Sequence, residues 1–179
     1  MVFIQVSEHV FLFFGAGEAG VGIANQIGWY VQKETGCSEE EGRRNIWLVD
    51  SQGLVSAARA DHLAHHKQPY AHALPASEDG SSVVGTSLLE IVQYIRPTAL
   101  IGVSAQGQTF TEDICKEMAA INSAPVIFAL SNPTSKAECT ARQAYEWTGG
   151  RCVFASGSPF DPVTLEDGRS FIPGQGNNS

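Results

Sequence analysis

A chain of 179 residues and 19.1 kDa is long enough to bury one good-sized core and little more. Its 43% hydrophobic and 17% charged content excludes a disordered polyelectrolyte, and a formal charge of −8 without any basic run excludes a surface built for nucleic acid or anionic membrane. The longest apolar runs, such as residues 125–130, fall far short of a bilayer span.

The opening Met1-Val-Phe-Ile-Gln-Val has neither the basic region nor the cleavage site of a signal peptide, so an intracellular setting is expected. Cys37, Cys115, Cys139 and Cys152 are far apart and form no CxxC pair. They are expected to be reduced thiols buried in a core.

Short β-branched or aromatic runs alternate with helix-like stretches, the pattern of a parallel sheet covered by helices. The strand candidates are residues 10–14, 46–49, 99–103, 126–130 and 153–155. Each is continuously apolar rather than alternating, as strands buried on both faces should be. A first helix is expected to open at the glycines after Phe14 and run through Ile23, Ile27 and Val31. Ser38 with Glu41 is a capping-box pattern for a second, short helix. Residues 62–82, polar and broken by Pro69 and Pro75, read as a helix fragment followed by a loop. Residues 87–95 place Leu88, Ile91, Val92 and Ile95 on one helical face before Pro97, and residues 111–121 form another candidate helix. Ser135 with Glu138 repeats the capping-box pattern ahead of an expected helix through Trp147. Asp167-Gly168, flanked by Val163-Thr-Leu and Ser170-Phe-Ile, is a hairpin signal, and the sequence then closes on Pro-Gly-Gln-Gly-Asn-Asn-Ser.

The strongest chemical signal is Gly15-Ala16-Gly17-Glu18-Ala19-Gly20, which follows an apolar strand and opens an amphipathic helix. That context is the one in which a GxGxxG reads as a dinucleotide fingerprint. Gly15 allows the tight turn, Gly17 lets backbone approach a pyrophosphate, and Gly20 lets helix and strand pack closely. The helix N-terminus adds free N–H groups and a positive dipole end. Asp50 ends the next strand, where a Rossmann site places its ribose-binding acid. It lies 30 residues beyond Gly20, a spacing lengthened by the extra helix at Ser38.

His62, His65, His66 and His72 invite a metal reading, but no acid or thiol other than Asp61 stands at ligand spacing. A solvated, histidine-rich surface is the expectation. Gly102-Val-Ser104-Ala-Gln106 resembles a nucleophile elbow but has Gln106 where the second glycine belongs. Ser104 is therefore read as part of a loop touching the cofactor. Asn132 follows a strand directly, where an open α/β sheet presents its ligand crevice, and its amide can donate to a carboxylate or carbonyl.

Taken together these segments resemble the malic enzymes. Phe-Gly-Ala-Gly-Glu-Ala-Gly (14–20), Ile-Trp-Leu-Val-Asp-Ser (46–51), Leu-Ile-Gly-Val (100–103) and Phe-Ala-Leu-Ser-Asn-Pro-Thr (128–134) occur in that family in this order. So do Ala-Glu-Cys-Thr (137–140), Phe-Ala-Ser-Gly-Ser-Pro-Phe (154–160) and Pro-Gly-Gln-Gly-Asn-Asn (173–178). The resemblance implies a Rossmann-type, doubly wound, mostly parallel sheet with helices on both faces. It implies oxidative decarboxylation of L-malate to pyruvate and CO2, with NADP or NAD reduced and Mg2+ or Mn2+ required.

Carried over motif by motif, Gly15, Ala16, Gly17, Glu18, Ala19 and Gly20 would cradle the dinucleotide, and Asp50 and Ser51 would lie by its adenosine ribose. Ser104 and Ala105 would border the nicotinamide, while Asn132 and Asn177, with Asn178 beside them, would bind substrate. Gln52 replaces a lysine common in NADP-preferring relatives, whereas Lys67 matches a lysine that favours the 2′-phosphate. NADP is the expected cofactor, with NAD as the alternative.

The family's catalytic tyrosine, general-base lysine and metal-binding carboxylates precede its glycine motif, and only 14 residues precede Gly15 here. No catalytic or metal-ligating residue is therefore assigned, and the chain is expected to be the nucleotide-binding portion, residues 1–179, cut at both ends. Without the base, acid and metal it should be inactive alone. The rival expectations are a standalone dinucleotide-binding regulatory module and an interaction remnant that pairs with a full-length relative. No nucleic-acid or membrane partner is expected. The family implies a homo-oligomer, and the cytoplasm is favoured over mitochondrion or plastid.

Overall fold

Runs of four or five apolar residues with no polar alternation leave a strand nowhere to go but between two layers. The computed structural model, which describes residues 5–75 and 87–176, builds such a sheet around β1 (Phe11–Phe14). On one side β1 pairs in parallel with β2 (Ile46–Asp50), which is followed by a short antiparallel β3 (Gly53–Leu54). On the other side it pairs in parallel with β4 (Ala99–Gly102). Beyond β4 come β5 (Val126–Ala129), β6 (Val153–Ser156) and, at the edge, β9 (Gly174–Gln175). The strand order is β3-β2-β1-β4-β5-β6-β9, and a separate two-stranded hairpin joins β7 (Val163–Thr164) to β8 (Ser170–Phe171). The chain reverses its direction of travel across the sheet between β1 and β4, which makes that point the topological switch of a Rossmann-type α/β fold.

Successive residues of each strand feed opposite cores. Leu12, Val49, Leu100 and Ile127 pack under α3 (Leu88–Ile95), α4 (Glu112–Ile121) and α5 (Ala141–Trp147). Phe13, Leu48 and Ile101 pack on the other face, with Val21 and Ala24 of α1 (Glu18–Thr35). The short α2 (Glu39–Arg43) packs against α1, and its Ser38–Glu41 capping box forms as the sequence predicts. Ser87 and Glu90 close the same device on α3.

Three sequence expectations are revised by the structure. Ser135 does not cap a helix with Glu138. Residues Thr134–Lys136 form one short 3-10 turn, and α5 starts later, capped by Thr140 with Gln143. The reason is that the Glu138 carboxylate is turned inward and fully buried. The helix fragment and loop expected from residue 62 take a more anchored form than the sequence suggests. Two 3-10 helices, Ala57–His62 and His65–Tyr70, lie as a strap on the sheet, anchored by buried Leu63 and Tyr70. The Tyr70 hydroxyl donates to Asn25 Oδ1 on α1 at 2.6 Å. The remainder of the expected loop, from residue 76 on, lies outside the described residues.

The histidines are not one solvated surface either. His72 stacks on Trp47 with ring centroids 4.0 Å apart and bonds the Ile46 carbonyl at 2.7 Å, while His62 and His65 are exposed. Burial pushes the His72 pKa below its ordinary value, against the opposing pull of that carbonyl. Part of the glycine-rich C-terminal stretch, for which the sequence predicts no element, is a strand, β9, at the edge of the main sheet. The expected hairpin at Asp167-Gly168 does form.

All four cysteines are free thiols; Cys115, Cys139 and Cys152 are buried and Cys37 is partly exposed. Burial pushes the Cys152 thiol up to about 11. Cys139 is raised well above the ordinary thiol value, first by its hydrogen bond with Cys115 and then by burial. Both stay protonated and unreactive at neutral pH.

Candidate functional site

The crevice forms where β1 hands over to α1, and the glycines explain how. Gly15 sits at φ +122°, and a Cβ on it would lie 2.7 Å from the backbone of Val103, so the ends of β1 and β4 touch without an intervening side chain. A Cβ on Gly20 would lie 2.2 Å from the Gly15 carbonyl oxygen. At Gly17, by contrast, nothing lies within 4 Å of a Cβ, and this open side faces the crevice. Gly17 is the N-cap of α1 and brings no side-chain acceptor to the first turn, unlike Ser38, Ser87 and Thr140 on their helices. The leading N–H groups of α1 and its positive dipole end are left for an anion.

A cleft of about 490 Å³ runs across this point. One end is lined by Asp50, Ser51, Ala64, His66 and Lys67, the middle by Gly15–Glu18, and the other end by Val103, Ser104 and Gln106. Of the residues predicted from sequence, Gly15, Ala16, Gly17, Glu18, Asp50, Ser51, Lys67 and Ser104 converge here. Ala19 and Gly20, in the first turn of α1, and Ala105, after β4, lie outside the lining. Asn132 stands past the end of β5, outside the lining, where its Oδ1 accepts the Ser158 hydroxyl at 2.7 Å. Asn177 and Asn178 lie outside the described residues.

At the β2 end the electrostatics differ from the sequence expectation. Lys67 does reach the cleft, but its ammonium is bonded to Asp50 Oδ2 at 2.9 Å. Arg59, which no sequence motif marks, holds the same carboxylate at 2.9 and 3.0 Å while also donating to the Gly53 and Leu54 carbonyls. Burial alone would raise the Asp50 pKa. Lys67, the Gln52 N–H and Arg59 outweigh it and hold the carboxyl below its ordinary value. Two cations thus share one carboxylate here, with Glu18 the second acid in the lining. His66 is a further residue that sequence reasoning placed elsewhere: it lines the cleft, with Nδ1 4.0 Å from Glu18 and Nε2 lacking a protein hydrogen-bond partner.

At the β4 end, Ser104 is no nucleophile elbow. Its hydroxyl accepts the Gln106 N–H at 3.2 Å and donates to Glu138 at 3.4 Å. Among the described residues, no three His, Cys, Asp or Glu side chains are grouped to hold a metal ion. No helix among the described residues is long and apolar enough to cross a membrane.

A glycine-turn crevice at the switch point of a parallel α/β sheet, with an acid ending β2, defines a dinucleotide-binding domain of the Rossmann type. Sequence comparison narrows the class. Residues 2–179 match the family described as "Malic enzyme, NAD binding domain". The chain is 52% identical to NADP-dependent malic enzyme 2 of Arabidopsis thaliana over 97% of its own length, covering 28% of that relative. It is 55% identical to the NADP-dependent malic enzyme of Mus musculus over 98% of its length and 54% identical to that of Columba livia over the same share. Those matches cover 29% and 30% of the two relatives. The chain belongs to the malic enzyme family, as its NAD-binding domain, and spans under a third of the relatives it matches.

Proposed function

We propose that this chain binds NADP(H) across the crevice and serves as the nucleotide-binding portion of an enzyme that oxidatively decarboxylates L-malate to pyruvate and CO2. The observation that carries the cofactor part is the cleft itself. It joins an adenosine end carrying Asp50 and Lys67, a run of open glycine backbone and a polar β4 end in one lining. The pyrophosphate would meet the N–H groups of the first turn of α1, where Gly17 leaves room for close approach. Asp50 would accept from the ribose, and Lys67 and Arg59, sharing that carboxylate, would supply cations for a 2′-phosphate. When bound, the nicotinamide would supply a hydride acceptor.

Ser104 and Gln106 would flank its ring, and Asn132, together with Asn177 and Asn178, would hydrogen-bond substrate. The divalent cation of the resemblance finds no donor set among the described residues.

Calorimetric titration of the 179-residue chain with NADPH and with NADH tests this reading. NADPH is expected to bind more tightly, and Lys67→Gln to weaken NADPH about fivefold while leaving NADH within about twofold. Tighter NADH binding would overturn the cofactor preference, and a folded sample that binds neither would overturn the nucleotide reading.

A further inference from the structure

Glu138 is the one fully buried carboxylate among the described residues, and no Lys, Arg or His forms an ion pair with it there. Its carboxyl is met by hydroxyl and amide donors alone. Oε1 accepts the Ser131 hydroxyl at 2.5 Å, the Ser104 N–H at 3.2 Å and the Ser104 hydroxyl at 3.4 Å; Oε2 accepts the Ser131 N–H at 3.4 Å. Each serine hydroxyl passes the arrangement outward. Ser131 Oγ accepts the Ala105 N–H at 2.8 Å, and Ser104 Oγ accepts the Gln106 N–H at 3.2 Å. The backbone of the same segment holds the far end of the loop, where the Ala137 and Glu138 carbonyls accept the Gln108 and Phe110 N–H groups.

That loop needs holding. Ala105 and Gln108 sit at φ +56° and +60°, in the left-handed region. Each costs about 1 kcal/mol for a residue with a side chain. Strain of this kind persists only where the surroundings over-determine it. Gly102 completes the fit, since a Cβ there would stand 2.4 Å from Glu138 Cδ.

We infer that Glu138 is a positioning residue: its buried carboxylate locks the 104–106 turn after β4 to Ser131 after β5, and so sets the end of the crevice that receives the nicotinamide. The inference rests on the dinucleotide reading above. It assigns Glu138 to the nicotinamide half of the site only, because the adenosine half is built from β1, α1, β2 and the strap.

The test exploits that division. Glu138→Gln puts an amide nitrogen against the Ser131 or Ser104 N–H donors, and Ser131→Ala cuts the link to Ala105 without touching the cleft lining. Wild type and both variants are titrated calorimetrically with NADPH and with adenosine 2′,5′-bisphosphate, which occupies the adenosine end alone. The expected result is about tenfold weaker NADPH binding in each variant, with the bisphosphate within about twofold of wild type. Equal weakening of both ligands, or no change in either, would overturn the positioning role. Failure of wild type to bind either ligand would instead remove the dinucleotide reading beneath it. If Glu138→Gln does not fold, Ser131→Ala carries the same comparison. Amide hydrogen exchange gives a ligand-free check: Ala105 and Gln106 should lose protection in the variants while Gly15 and Val21 keep theirs.

Discussion

The two ends of the crevice each hold a carboxylate, and they hold it by opposite means. Asp50, at the end of β2, is clamped by two cations whose side chains keep 22% and 20% of their surface open to water. Glu138, under the ends of β4 and β5, has no cation and no water-facing surface, only hydroxyl and amide donors. An ion pair at a wet rim can open and re-form around a ligand at small cost, because water stands in for either partner. A buried carboxyl satisfied only by donors cannot, since losing one leaves an unpaired group in a low dielectric. The β2 end is therefore suited to exchanging partners, and the β4 end to staying put.

Breaking both carboxylates is the most direct way to sharpen that contrast. Glu138→Ala leaves two backbone N–H groups unmet and should lower unfolding free energy by about 3 kcal/mol. Asp50→Ala, whose cations keep about a fifth of their surface in water, should cost less, about 1–2 kcal/mol. Urea unfolding of the two variants beside wild type measures the difference, and equal losses would dissolve the distinction. Next in size is Gly102→Ala, which should destabilise by about 1–3 kcal/mol by driving a methyl into the trapped Glu138 side chain. The compensating pair Gly102→Ala with Glu138→Ala should recover part of that loss in the same assay.

The smallest effect is a pH dependence. The Asp50 pKa is lowered in the fold, so its contribution is complete above the unfolded value of about 3.9 and is lost as pH falls through the lowered folded one. Asp50→Asn should therefore flatten the fall in stability between about pH 5 and pH 2 by a fraction of a kcal/mol, read as a shift in urea midpoint.

Much of this was legible in sequence because the relevant signals are local. The five long strands announce themselves as unbroken apolar runs, and the glycine loop carries its context with it. Asp50 and Lys67 were legible as single residues, but their pairing with one another and with Arg59 was not, since nothing in the spacing 50, 59, 67 specifies contact. Glu138 was misread for a physical reason: Ser135–Glu138 has capping-box spacing, and only the tertiary pull of Ser131 and Ser104 turns the side chain inward. The real cap, Thr140 with Gln143, stood five residues on and had the same signature. The edge strands β3 and β9, two residues each, are too short to show a period.

The strap has a further consequence. Tyr70, wholly enclosed beneath α1 and latched to Asn25, lies only three residues past Lys67 in a tightly wound 3-10 turn. The ammonium that meets the crevice thus behaves as the tip of a short lever whose fulcrum is in the hydrophobic interior. Its aim is consequently tunable from a distance: a change of volume around Tyr70, with no charge altered and nothing at the surface touched, would shift the Lys67 ammonium within the crevice and, on the proposed reading, the ligand preference with it.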